Sequence, residues 1–214
     1  MRTFTWGCSK GPPIAHFEDA LTLKQALMAA DLQDKASRNS AALVLIHMAA
    51  ARREIDPEAA IRNAAEAAKS DIVEDRAQPR ILAADAHRKL GRFADAETLL
   101  REAASILKTQ ETSVEANLTL AWAKLEVARG NLPAASRYVD RSIALDEIVL
   151  KELQTPEVAC ALAEALEFAA VAFPVIAPAR RQRILAVWTD QDRRFPGQPY
   201  LQERVRIAAE QKRK

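Results

Sequence analysis

The sequence is poor in glycine and in aromatic residues. Its 214 residues include only 5 glycines, and phenylalanine, tryptophan and tyrosine together make up 5% of the chain. Most β-rich architectures are thereby excluded, because strands need β-branched and aromatic residues and the turns of sandwiches need many glycines. Alanine, in contrast, occurs 44 times. Since alanine favours the helix and lets helices approach closely, we expect a chain of closely packed helices.

An excess of one charge, closely spaced cysteines and long apolar runs are also missing. The 31 basic and 29 acidic residues give a net charge of +2, which excludes a strong general attraction to nucleic acid or to anionic membranes. The only cysteines, Cys8 and Cys160, have no metal-ligand or C-x-x-C spacing, and we expect two unpaired thiols in a reducing compartment. The apolar run 41–51 is too short to span a bilayer, so no transmembrane helix is predicted.

The amino terminus bears on the compartment. Between Met1 and Cys8 there is no apolar stretch of the kind that a signal peptide requires, so a cytoplasmic location is expected. The alternative is a periplasmic, lipid-anchored protein. The pair Gly7-Cys8 followed by a short polar segment is similar to the processing site of bacterial lipoproteins. That alternative requires a start site upstream of Met1.

Proline marks the expected starts of helices, because its missing N–H is tolerated in the first helical turn. Two residues that precede a proline, Asp56 and Thr155, are also suited to cap a helix, since their side-chain oxygens can accept a hydrogen bond from an unpaired backbone N–H. Six of the 10 prolines lie just before runs with helical periodicity, namely Pro57, Pro79, Pro133, Pro156, Pro178 and Pro199.

Two segments of the chain repeat each other at an offset of 39 residues, which superposes Gly91 on Gly130. Glycine at these positions predicts a turn with positive φ between two helices, and the small residues predict points where helix axes cross closely. The alternative is an alanine-rich helical hairpin without repeat geometry. The offset aligns small residues at Ala84/Ala123, Ala96/Ala135 and Ala103/Ser142, and apolar residues at Phe93/Leu132, Leu100/Val139 and Ile106/Leu145.

The glycine, the turn residue after it and the small positions resemble the tetratricopeptide repeat (TPR). Two good copies cover about 77–110 and 116–149, and a degenerate copy without the glycine covers about 41–74. The resemblance implies an all-α superhelix, a solenoid of antiparallel helix pairs with flanking helices. We expect a flexible segment at 1–15, a TPR-like domain at 16–172 and basic capping helices at 173–214, and we leave open whether a fourth pair follows Pro156.

In the TPR family, partner segments lie along the concave face formed by the first helix of each pair. The resemblance therefore implies a site for a peptide or helix of another protein, although each charge taken alone is equally well explained as solvated. The chaperone-binding members grip a terminal carboxylate with lysine and asparagine residues, and here only Lys124 could do so. The implied face comprises Leu45, Ala49, Arg52, Ile81, Asp85, Arg88, Leu120, Lys124 and Val127.

The carboxyl-terminal segment is basic. Between Arg180 and Lys214 there are ten basic and four acidic residues, with Trp188, Phe195 and Tyr200 among them. Cations on phosphates and aromatic residues on bases would give a nucleic-acid site. We favour a capping helix pair, because the apolar residues follow helical spacing and would dock on the solenoid. Nucleic acid is thus an unlikely partner, kept as an alternative.

Catalytic and metal-binding motifs are missing from the sequence. His16, His47 and His87 fall in separate predicted helices without an acidic partner at metal-ligand spacing. The glycines form no phosphate-binding loop, and nothing places a basic partner beside Cys160. We therefore expect no cofactor, no metal and no enzymatic activity. The predicted function is that of an adaptor or assembly factor.

Overall fold

The structure, a computed structural model, consists of antiparallel α-helices. It describes residues 14–31, 35–69, 76–107 and 112–213, and within these ranges there are ten α-helices and no β-strand. The all-α fold class is confirmed. The helices are α1 (Ile14–Ala30), α2 (Lys35–Arg52), α3 (Pro57–Ala67), α4 (Ala77–Lys89), α5 (Phe93–Ile106), α6 (Thr112–Ala128), α7 (Leu132–Leu153), α8 (Pro156–Ala172), α9 (Ala177–Arg194) and α10 (Pro199–Lys212).

The helices form successive pairs: α2 with α3, α4 with α5, α6 with α7, and α8 with α9. We refer to these as the first to fourth pairs, and to α2, α4, α6 and α8 as the inner helices. Each inner helix packs on the next one along the chain, α2 on α4, α4 on α6 and α6 on α8. Because every pair packs on its neighbours through this inner layer, the architecture is a solenoid. The predicted TPR-like superhelix is confirmed.

The two glycine turns have the same geometry. Gly91 has φ +74° and Gly130 has φ +80°, in the left-handed region that glycine adopts without strain. In each turn the N–H after the glycine donates to a carbonyl five residues earlier, from Arg92 to His87 at 2.9 Å and from Asn131 to Glu126 at 2.9 Å. This hydrogen bond closes the end of the first helix of a pair. The predicted turns are therefore confirmed.

The small residues lie where helices cross. Each aligned pair of small residues is buried in both copies, with exposed fractions of 1% or less. Ser142 uses its hydroxyl to donate to the carbonyl of Ala116 at 3.0 Å, which satisfies the one polar group among them. Short side chains at these positions let neighbouring helices pack closely, as predicted. The buried residues are Ala84, Ala96, Ala103, Ala123, Ala135 and Ser142.

The helix starts agree with the proline pattern, and one predicted cap is wrong. Pro57, Pro156 and Pro199 are the first residues of α3, α8 and α10. Asp56 caps α3 by accepting the N–H of Ala59 at 3.0 Å. Thr155 precedes α8, but its side chain makes no capping hydrogen bond. The start of α8 therefore depends on Pro156, whose fixed φ suits a first helical residue.

The fourth pair departs from a regular hairpin. A 3-10 turn, Pro174–Ile176, separates α8 from α9, and the chain bends there by 119°. Helix α9 nevertheless packs on α8, and α10 packs on α9. Trp188 (1% exposed) and Leu201 (0% exposed) share a core with Leu166 of α8. These helices cover the end of the third pair. The division at 1–15, 16–172 and 173–214 stays a prediction, and residues 1–13 lie outside the described residues.

The cysteine prediction is wrong at Cys160. This residue lies in α8, is 3% exposed and is disulfide-bonded. Two free thiols are therefore not what the structure shows. Cys8, named above for the lipid-anchored alternative, lies outside the described residues. The expectation failed because it rested on sequence spacing, which does not limit which cysteines meet in a folded chain.

Candidate functional site

The inner helices enclose a small polar pocket on the concave face. Its volume is about 50 Å³, which holds a few water molecules but no large side chain. Its walls are apolar, from Ile81 and Leu82 of α4 and from Leu120 of α6. Four helix pairs contribute to this one surface, because α2, α4, α6 and α8 lie side by side. The polar lining residues are Arg53, Gln78, Asp85, Asn117, Lys124 and Glu164.

The structure brings together four of the nine residues that the TPR resemblance implied. Ile81, Asp85, Leu120 and Lys124 all line the pocket. Arg88 lies beside it, because its guanidinium contacts Asp85 at 2.8 Å. The role of these residues in binding a partner stays a prediction.

The remaining implied residues lie elsewhere. Leu45 packs against the core between α2 and α4, and Ala49 is fully buried in that core. Arg52 forms an ion pair with Glu18 of α1. Val127 is half-buried in α6 and is not a lining residue of the pocket. These four residues do not line the pocket, and their place on a partner-binding face stays a prediction.

Asp85 is the most buried charge in the pocket, with 5% exposure. Arg88 contacts it at 2.8 Å and Arg53 at 3.9 Å. Burial alone would raise the pKa of Asp85, but the positive charges of Lys124, Arg88 and Arg53 outweigh burial and hold the pKa well below its usual range. The carboxylate is therefore ionised at neutral pH and orients the cations around it.

Glu164 is the second anion of the pocket. Lys124 donates to its Oε1 at 2.8 Å, and Nη2 of Arg53 donates to the same oxygen at 3.2 Å. The positive charge of Lys124 lowers the pKa of Glu164 to about 2, against the effect of burial and with the help of Arg53. The pocket, with Arg88 beside it, thus brings three cations and two anions into one connected network.

Two amides complete the polar surface. Asn117 of α6 donates to Oε1 of Gln78 of α4 at 3.3 Å, and both residues are half-buried. An amide side chain offers two donor hydrogens and an accepting oxygen, so each retains capacity for a further hydrogen bond. The two amides therefore form a short row that follows the direction of stacking.

Sequence reasoning missed Arg53 and Glu164. Arg53 lies just beyond Arg52, the last residue of α2. A face drawn at regular helical spacing along α2 therefore included Arg52 and left out Arg53. Glu164 belongs to the fourth pair, which the alignment of glycines did not reach. A signal was present, because Lys124 lies 39 residues after Asp85 and Glu164 lies 40 residues after Lys124. Charges at the repeat spacing predict side chains that meet across neighbouring inner helices.

Asp146, on α7, is a buried acid outside the pocket. It is 3% exposed, and burial together with the negative charge of Glu164 raises its pKa to about 7. A carboxyl group without a nearby cation favours its neutral form in such surroundings. Burial raises the pKa of both acids, and the pKa of Glu164 is nevertheless lowered because Lys124 and Arg53 lie beside it.

Several cations of the basic carboxyl-terminal helices form ion pairs with carboxylates of the protein itself. Arg180 contacts Asp140 of α7 at 2.8 Å, and Arg183 forms an ion pair with Glu147 of the same helix. Arg206 contacts Glu203 at 2.6 Å within α10. Trp188 is buried against α8 and is not available to stack on a base. Paired cations attract phosphate weakly, which disfavours the nucleic-acid alternative.

Neither a metal-binding group nor a single membrane-spanning helix occurs in the part of the chain that the structure describes. No group of three or more His, Cys, Asp or Glu residues suited to a metal ion occurs among the described residues. His47 stacks on Phe17 with ring centroids 6.0 Å apart, and burial lowers its pKa. No single described helix is both long and apolar enough to cross a bilayer. Among the described helices, only α8 and α9 taken together have the length and composition to do so, and the chain bends by 119° between them.

Comparison with known proteins gives one family. The model of the tetratricopeptide repeat protein 21 ARM repeat matches residues 22–142, more than half of the chain. The match runs from α1 into α7 and includes all three predicted repeat copies up to residue 142. No curated protein and no solved structure matches significantly. With its helix pairs, glycine turns and small crossing residues, the chain belongs to the tetratricopeptide repeat protein 21 ARM repeat family.

Proposed function

We propose that this protein is a non-catalytic adaptor or assembly factor that docks a segment of another protein on its concave face. Helical repeat proteins of this kind typically bind other proteins. The observation that carries the proposal is the convergence of four helix pairs on one polar surface with apolar walls. No chemical step is part of the proposal, since its mechanism is reversible docking.

The amide row supplies the means of recognition. A partner backbone offers an N–H and a C=O at each residue, and the half-buried amides of Gln78 and Asn117 can pair with both. The adjacent Ile81 and Leu120 line the pocket but are buried, with 4% and 6% exposure, so the amides are the groups that are open to a partner. A segment with an exposed backbone suits this surface.

The test is affinity purification from the native host with the tagged full chain, followed by identification of co-eluting proteins. The variant Gln78→Ala/Asn117→Ala should lose at least one co-eluting protein, and Gln202→Ala, an exposed amide on α10, should keep it. Equal recovery with both variants would contradict docking at the amide row. Charge reversal of Arg88 and Lys124 is a poor test, because Asp85 and Glu164 would then be buried beside negative charges.

The compartment is a separate proposal. A disulfide persists in oxidising compartments, so the bonded state of Cys160 favours an oxidising compartment over the cytoplasmic location that the amino terminus suggested. It does not support a lipid anchor on Cys8, because the sulfur of this one other cysteine could not carry a lipid and also bond to Cys160. Thiol alkylation of the protein, denatured as it is taken from the native host so that the buried Cys160 becomes accessible, tests this. No alkylation of Cys160 without reductant is expected, and full alkylation would restore the cytoplasmic prediction.

A further inference from the structure

One ion pair joins helix pairs that are not neighbours in the stack. Arg53 follows α2 of the first pair, and Glu164 lies in α8 of the fourth, 111 residues later. Their Nη2 and Oε1 atoms are 3.2 Å apart. The inner helices themselves pack in chain order, with α4 and α6 between α2 and α8. In a helical-repeat stack each unit normally contacts only its neighbours, so this contact is exceptional.

The ion pair is shielded from solvent. The side chain of Arg53 is 18% exposed and that of Glu164 is 24% exposed. Attraction between partly buried charges is screened by salt much less than attraction between surface charges. Arg53 also faces Asp85 at 3.9 Å, so two anions from two different helix pairs attract it. These contacts fix the guanidinium of Arg53 on the surface that the inner helices form.

The ion pair between Arg53 and Glu164 restrains several interfaces of the stack at once. The curvature of a solenoid is the sum of small rotations at each interface between repeats. A contact between the first and fourth pairs therefore restrains three interfaces at once, whereas a contact between neighbours restrains one. The small volume of the pocket, about 50 Å³, is consistent with inner helices that are held close together.

We propose that Arg53 and Glu164 form a clasp that holds the first helix pair to the fourth and keeps the concave face closed. Release of the clasp lets the three interfaces relax and widens the surface between the inner helices. The clasp is a property of the chain alone, and it does not depend on which partner binds or on whether docking occurs at the amide row.

The matched variants are Arg53→Gln and Lys124→Gln. Each removes one cation from Glu164, but Lys124 lies in α6 and joins only neighbouring inner helices. Small-angle X-ray scattering of the full chain should give a larger radius of gyration for Arg53→Gln and an unchanged one for Lys124→Gln. Backbone amides at the end of α2 should exchange with solvent roughly three- to tenfold faster in Arg53→Gln.

Two results would overturn the clasp. The first is a wild-type radius of gyration and wild-type exchange in Arg53→Gln, and the second is equal expansion in both variants. If Arg53→Gln fails to fold, the double variant Arg53→Ala/Glu164→Ala removes both side chains of the clasp, so that neither charge is left buried without the other. The double variant should expand as well, and a wild-type radius of gyration in it would also overturn the proposal.

Discussion

Replacing Asp146 with asparagine should stabilise the protein, and the gain should depend on pH. The substitution keeps the shape of the side chain and removes its ability to ionise. Asp146 is 3% exposed, and burial and Glu164 raise its pKa from 3.8 to about 7. An acid with a higher pKa in the folded chain binds its proton more tightly when folded, so its contribution to stability falls as pH rises between the two pKa values.

The size of the gain follows from the shift. Each pKa unit corresponds to about 1.4 kcal/mol, so ionised Asp146 costs the folded state about 4 kcal/mol at most. Relaxation of the surroundings reduces such costs, because effective dielectric constants in proteins are near ~20 even at buried sites. We expect Asp146→Asn to raise the free energy of unfolding by about 1–3 kcal/mol above pH 7. The gain should shrink as the pH falls from 7 and vanish only below about pH 3, where Asp146 is protonated in the folded and the unfolded chain alike.

The assay is urea unfolding followed by circular dichroism at several pH values between these limits. Glu152→Gln is the matched control, since Glu152 lies on the same helix and is exposed. The control should leave the free energy of unfolding within about 0.5 kcal/mol of wild type. A gain for Asp146→Asn that is absent, or equal at every pH, would refute the assignment of a buried, destabilising charge.

Three further predictions concern the turns, the helix crossings and the basic end. Gly130→Ala should lower the free energy of unfolding by about 1–2 kcal/mol, because the φ of +80° strains any residue that has a Cβ. The added Cβ meets no other atom, so the strain lies in the backbone alone. Unchanged stability in urea would be inconsistent with the turn. Ala123→Leu should cost about 1–3 kcal/mol by overpacking a fully buried crossing, whereas Ala94→Leu, exposed on α5, should cost almost nothing in the same assay. A single-stranded oligonucleotide should show no saturable fluorescence-anisotropy change with the full chain, and salt-dependent binding would revive the nucleic-acid alternative.

The turns and crossings could be predicted because their physical requirements leave few choices of residue. A left-handed turn selects glycine, so the 39-residue offset between Gly91 and Gly130 located two equivalent turns. Close crossings select small side chains, and Ala96 and Ala135 are both buried at matching positions. Asp56 was predictable as a cap for the same reason, because its carboxylate satisfies an N–H that the helix leaves open.

The first helix shows where periodicity alone fails. Leu23 and Leu27 are large apolar residues of α1, yet they are 61% and 43% exposed. Phe17 is the one buried residue of α1. An apolar stripe shows which side of a helix can be buried, but burial also requires another element on that side. The sequence does not specify how α1 sits on α2.

The ionic network could be predicted only in part. Asp85 and Lys124 fall on the face that the TPR resemblance implied, and they line the pocket. Arg53 and Glu164 meet because three interfaces place the end of α2 next to α8. That position depends on the accumulated curvature of the stack, which local spacing does not encode.

Site-specific photocrosslinking in the native host tests most directly the claim that the concave face docks another protein. A photoreactive amino acid replaces either Val127, a half-buried residue of α6 on the implied concave face that leaves both amides in place, or Gln202 on α10 in the full chain. We predict a discrete crosslinked protein from position 127 that is missing from position 202. The same protein crosslinked equally from both positions, or only from position 202, would contradict docking on the concave face.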